Sequence, residues 1–164
     1  MRAKGLFLAG LFWIISSAAF SADPDVLMQA VSFAVTGSDA TKVVAVDRAQ
    51  CVFKIGDDTY YLNNIYTDRI AIQSWSNKLN QNWATVEIHG KKKVVDHYTP
   101  QPTFTGSDYD KQMMSIDPHY FATKAKTTSS SDETIHVTTR EYDRLSKAWQ
   151  YIYANGCKGM TSPF

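Results

Sequence analysis

Cysteine is scarce in this chain: only Cys51 and Cys157 occur. That scarcity excludes paired CxxC zinc sites and any disulfide framework beyond a single bond. HExxH, GxSxG, Walker and EF-hand patterns are missing too, so the commonest recognisable hydrolase and nucleotide-enzyme signatures are absent. An enzyme assembled from residues far apart in sequence stays compatible with those absences. Excess charge is also lacking. With 17 basic against 16 acidic residues, there is no field to attract a polyanion, and nucleic acid or an anionic membrane surface is not an expected partner.

Long apolar runs are confined to the start. Arg2 and Lys4 precede an apolar run from Gly5 to Ile15, and the small residues Ser16, Ser17, Ala18 and Ala19 follow. A bilayer needs about 20 apolar residues, so this run reads as a secretory signal peptide. Ala19 and Ser21 are the small residues a signal peptidase reads, which places the cut after Ser21. The expected division is a leader over residues 1–21 and a single domain over 22–164. Taking Arg2 and Lys4 from the 17 basic residues leaves 15 against 16 acidic ones, a mature chain close to neutral with no further membrane span. The expected address is periplasmic or secreted.

In an exported chain an even pair of cysteines reads as a disulfide, here Cys51–Cys157. The alternatives are two free thiols or an intermolecular link. An intramolecular bond would close a loop of about 106 residues, for which chain entropy gives about 4.7 kcal/mol as an upper figure. It would tie the C-terminal helix to the strand CVFKI.

Asp23-Pro24 and the apolar spacing of Val26, Leu27, Ala30, Val31, Ala34 and Val35 predict a helix over 24–36, stopped by Gly37. From Lys42 to Tyr98 the period changes to that of strands. Val43 to Val46 and CVFKI lie on opposite parities, so a bulge or turn is expected at Arg48–Gln50. CVFKI and TYYLNN flank GDD as a hairpin. A strand over 69–75, the polar stretch SNKLNQN, WATVEIHG, and then GKKK turning into VVDHY complete an antiparallel meander. Between Thr99 and Glu133 the pattern is weak: SDYDKQMMSI is a short helix with Ser107 as cap, and KTTSSSDE is a hairpin tip or a mobile loop. The final helix carries Tyr142, Leu145, Trp149, Ile152 and Tyr153 on one stripe, with Thr139 as its expected cap and Asn155-Gly156 ending it.

Candidate chemistry centres on the histidines. Asp96-His97 puts a carboxylate beside an imidazole, but neighbours on a strand face opposite ways. A three-residue loop at Lys91–Lys93 would set Glu87 opposite His97, and a four-residue loop would set Val86 there. Glu87, Asp96 and His97 are therefore the candidate catalytic residues, as a base with its orienting carboxylate. Tyrosine is the one abundance, nine residues. Tyr60, Tyr61 and Tyr66 cluster around the first hairpin, with Trp75, Trp83 and Trp149 adding aromatic surface, so those three tyrosines are the candidate ligand-binding residues. No metal and no cofactor is expected.

The closing run KAWQYIYANGCKGMTSPF, and CVFKI preceded by Asp47-Arg48, resemble small exported proteins of soil alphaproteobacteria. The resemblance implies a Gram-negative periplasmic address and the disulfide, and no activity. The expected fold is α+β: an N-terminal helix, an antiparallel meander of five to seven strands, and a C-terminal helix packed on the sheet. The expected function is a non-enzymatic periplasmic binding or accessory protein for a protein or small ligand. The alternatives are an envelope-directed hydrolase and a structural subunit of a homo-oligomer, such as a homodimer.

Overall fold

Proline in the first turn, apolar residues at helical spacing and a glycine beyond the last turn produce helix α1, Pro24–Thr36. The computed structural model describes residues 24–76 and 82–163. The expected leader and its cut after Ser21 lie outside the described residues. Gly37 takes φ 74°, and a Cβ on it would run into Val137 and the Thr138 carbonyl. Only glycine ends α1 there without strain.

Eight strands follow among the described residues: β1 (Val43–Asp47), β2 (Val52–Ile55), β3 (Asp58–Tyr61), β4 (Ala71–Ser76), β5 (Asn82–His89), β6 (Val95–Thr99), β7 (Lys126–Ser130) and β8 (Asp132–Val137). Helix α2 (Asp108–Ile116) is inserted between β6 and β7, and α3 (Tyr142–Asn155) follows β8. The class is α+β as expected, with every strand pairing antiparallel. The strands divide into two sheets, ordered β1-β2-β3-β6-β7 and β4-β5-β8. The β1–β2 register shifts between Ala45 and Asp47, just before the break in alternation, and a tight turn at Gly56-Asp57 closes the β2–β3 hairpin.

The two sheets share a ribbon. β5 pairs with β8 as far as His89–Asp132, and β6 pairs with β7 from Val95–Ser130 onward. Both β5 and β6 therefore run against one nearly continuous strand, β7–β8, and residues 90–94 stand opposite Ser131 alone. The bulge is well held: the Gly90 N–H bonds to the Ser131 carbonyl at 2.9 Å and the Val94 N–H to the Ser130 carbonyl at 2.7 Å. This corrects two sequence expectations. GKKK does not turn β5 back onto β6, because both strands take their partners from the other side of the ribbon. Nor is KTTSSSDE a hairpin tip or a mobile loop. Its first half is strand β7, polar because it is the exposed outer strand of its sheet.

Side chains on the inner faces form one buried cluster. Phe53, Ile55, Tyr60 and Val95 come from the larger sheet, Ala84, Val86, Ile88, Ile135 and Val137 from the smaller, and Val31, Ala34, Leu145, Trp149 and Ile152 from α1 and α3. Each large apolar side chain buried this way contributes about 1.5–3 kcal/mol. Two phenols pin α3: the Tyr142 hydroxyl donates to the Ile72 carbonyl at 2.8 Å and Tyr153 to the Leu62 carbonyl at 3.1 Å. The cap position of α3 falls on Glu141 instead of the expected Thr139, without a side-chain bond.

The disulfide joins Cys51, one residue before β2, to Cys157, just past α3, with Cα atoms 5.6 Å apart. The chain beyond it runs back along residues 63–68. The Lys158 N–H bonds to Asn63 Oδ1, Met160 exchanges backbone bonds with Ile65 and Thr67, and the Ser162 N–H reaches Asp68. No helix among the described residues is long and apolar enough to cross a membrane.

Helix α2 is capped locally. Ser107 Oγ accepts from the Asp110 N–H, and the Asp110 carboxylate accepts from Ser107 and Thr105 in return. The helix lies beside a short aromatic group in which Phe121 meets Phe104 and Tyr120 edge-on at 5.3 and 5.0 Å. Tyr109, Met114 and Ile116 of α2 remain exposed, Ile116 at 69%.

Candidate functional site

β3 and β6 pair Asp58 with His97, which puts both on the inner face at the margin of the core. On that face β8 contributes Glu133. The His97 ring is held from both sides: Nδ1 lies 2.9 Å from Asp58 Oδ1 and Nε2 lies 2.9 Å from Glu133 Oε2. The Glu133 hydrogen bond, opposed by burial and reinforced by Asp58, raises the imidazole above its ordinary value. A ring with both nitrogens engaged by carboxylates is an imidazolium clasp between the two sheets. Neither nitrogen is open toward a substrate. The two carboxylates hold opposite nitrogens and do not converge on one point, and no group of three or more His, Cys, Asp or Glu among the described residues is placed to hold a metal ion.

Asp96 faces the other way. It accepts from the Tyr61 hydroxyl at 2.6 Å, from Lys93 Nζ at 2.7 Å and from Ser129. Burial pushes its carboxyl up, but the bonds from Lys93, Ser129 and Tyr61 outweigh that and hold it below the usual range. Lys93 also sits 4.3 Å from the centre of the Tyr61 ring. The network is closed and ties the bulge to the outer face of the larger sheet.

Glu87 is remote from both groups in the pairing pattern. Its cross-strand neighbours are Ala71 and Thr134, so the expected Glu87–His97 register does not form. The reason is the ribbon: β5 and β6 point the same way and never face one another. The three candidate tyrosines also separate. Tyr60 is buried at 5% exposure and its phenol is pushed up by burial and then by the charges of Asp58 and Glu133. Tyr61 belongs to the Asp96 network, and Tyr66 lies half-buried beside Arg69 and the C-terminal segment.

The smaller sheet presents a different surface. Trp75 and Trp83 are direct cross-strand partners on its outer face, in one layer with Gln73, Thr85, Glu87, Thr134 and His136. Trp75 is half exposed, and its indole N–H donates to Thr85 Oγ1 at 3.3 Å. That bond reaches diagonally across the strand pair and lays the ring along the sheet. Beside Trp83 a concavity of about 550 Å³ is lined by Asn82, His136, Thr138, Thr139 and Arg140. A second, of about 330 Å³, continues it past Trp75 to Tyr142. The volumes fall in the range of small-molecule sites. The sequence carried a signal for the pair: two tryptophans bracket the polar SNKLNQN stretch, and the antiparallel pairing of the flanking strands β4 and β5 sets them opposite each other. Asp58 and Glu133 carried none, since only the sheet pairing brings them to His97. Comparison with family models, curated proteins and solved structures gives no match.

Proposed function

We propose that this is an exported, non-catalytic binding or accessory protein that takes its ligand on the outer face of the three-stranded sheet. The observation that carries the reading is the Trp75–Trp83 cross-strand pair, a half-exposed indole beside a half-buried one at the mouth of a concavity. Exposed indole next to polar side chains is a surface suited to gripping a ligand. The leader pattern, the disulfide and the resemblance support a periplasmic or secreted address, with residues 22–164 as the mature domain.

The test uses the mature protein on an array of oligosaccharides and extended peptides. Capture by the wild type and not by W75A/W83A is expected. Capture that survives the double substitution places the ligand elsewhere and ends this reading. Release of soluble product from isolated cell envelopes, lost in H97A, would establish the hydrolase instead. The address is read separately from the intact mass of the periplasmic fraction, expected to match a cut after Ser21.

A second reading, a subunit of a homo-oligomer, is favoured by the exposed Tyr109, Met114 and Ile116 on α2. Light scattering on the wild type and on I116D distinguishes it: a dimer dissolved by the substitution supports it, and a monomer removes it.

A further inference from the structure

We infer that the ligand of the tryptophan face is an acidic saccharide, a chain of pyranose rings carrying carboxylates; this rests on the binding reading above and names its ligand class. Three features of the face converge on that chemistry. A pyranose has an apolar face of C–H bonds and an equatorial rim of hydroxyls. Trp75 and Trp83 offer flat, electron-rich surface for the first, and the Trp75 ring is fixed by its bond to Thr85 rather than left to swing. The rim needs short polar side chains of mixed donor and acceptor character, and Asn82, His136 and Thr139 stand around the concavity beside Trp83.

The third feature is charge. Arg140 lines both concavities, and no carboxylate and no other arginine or lysine lines either of them among the described residues. The neighbouring Arg144 is held by Asp39 and Glu141, whereas Arg140 has no ion-pair partner among the described residues. A lone, planar guanidinium matches a carboxylate in two parallel hydrogen bonds. A dianionic phosphate would call for a second cation, and the lining holds none among the described residues. The expected arrangement is a sugar ring over the indoles, with its carboxylate turned to Arg140.

The experiment is a titration of isotope-labelled mature protein with a galacturonate hexamer, with cellohexaose and with a glutamate hexapeptide, each in the presence of a chelator. The indole N–H signals of Trp75 and Trp83 report the site, and that of Trp149, buried in the core, reports the fold. The galacturonate hexamer is expected to shift Trp75 and Trp83 saturably and to leave Trp149 in place. R140Q should weaken it about tenfold, the loss of one charge-assisted contact, and cellohexaose should bind about tenfold more weakly than the acidic chain. Equal affinity for both saccharides overturns the acidic part of the inference. Shifts from the glutamate peptide alone overturn the saccharide and leave the binding face standing. No shift from any of the three overturns the saccharide too, and the array result then decides the binding reading on its own.

Discussion

His97 shows how one side chain can join two sheets. Asp58 comes from the hairpin strand β3, Glu133 from β8, and the ring between them is 37% exposed. At that exposure water screens both pairs, and the clasp contributes about 1 kcal/mol. Its sign with pH follows from the raised pKa. The protonated ring is favoured by folding, so the contribution is fully present below the unfolded value of about 6.5 and is lost as pH rises through the higher folded value. Urea unfolding of H97Q should therefore show a deficit of about 1 kcal/mol near pH 6 that closes towards pH 9. A deficit that stays constant across that range would mean the ring matters through packing and not through charge.

The ribbon is the element that sets the positions of all these groups, and its sharpest constraint is Gly90. A Cβ there would collide with the Asn64 carbonyl and the Val94 side chain, and backbone cannot move aside cheaply. G90A should cost about 1–3 kcal/mol in equilibrium unfolding, as overpacking does. G56A is the comparison: its turn has open space around the missing Cβ and only a positive φ to pay for, about 1 kcal/mol. This element also marks the boundary of what the sequence discloses. Local signals gave α1, the β2–β3 hairpin, the capped α2 and the end of α3, because caps, glycines and alternation act over a few residues. The partner of β6 was not legible. GKKK satisfies the composition of a hairpin turn, and what decides against it is a bond network from Ser130 and Ser131, forty residues on. The same distance hid Asp58 and Glu133 from any reading of Asp96-His97. By contrast, the tryptophans that bracket SNKLNQN lie close enough in sequence for their pairing to be visible.

At the scale of the molecule the disulfide closes the chain between the first hairpin and the end of α3. Cys51 adopts φ 51°, a left-handed conformation that side chains with a Cβ rarely take. Removing the bond by C51A/C157A should cost about 2–5 kcal/mol. C51G/C157A should recover about 1 kcal/mol of that loss, because glycine carries no penalty at this φ. Equal losses in the two variants would show that the backbone relaxes once the sulfur link is gone. The C-terminal segment, bonded to residues 63–68 along its length, then becomes the part that the missing bond frees first.

The shared ribbon carries a consequence for how the protein opens. Two sheets joined only by a linker can unzip one at a time, each with its own free energy of opening. Here β7 and β8 form one nearly continuous strand that edges both sheets, so opening either sheet pulls on the pairs of the other and the two come apart together. In hydrogen exchange the amides of β5, β6 and β8 that point into the ribbon should form a single slowest class, exchanging through global unfolding, while α2 exchanges orders of magnitude sooner through local opening.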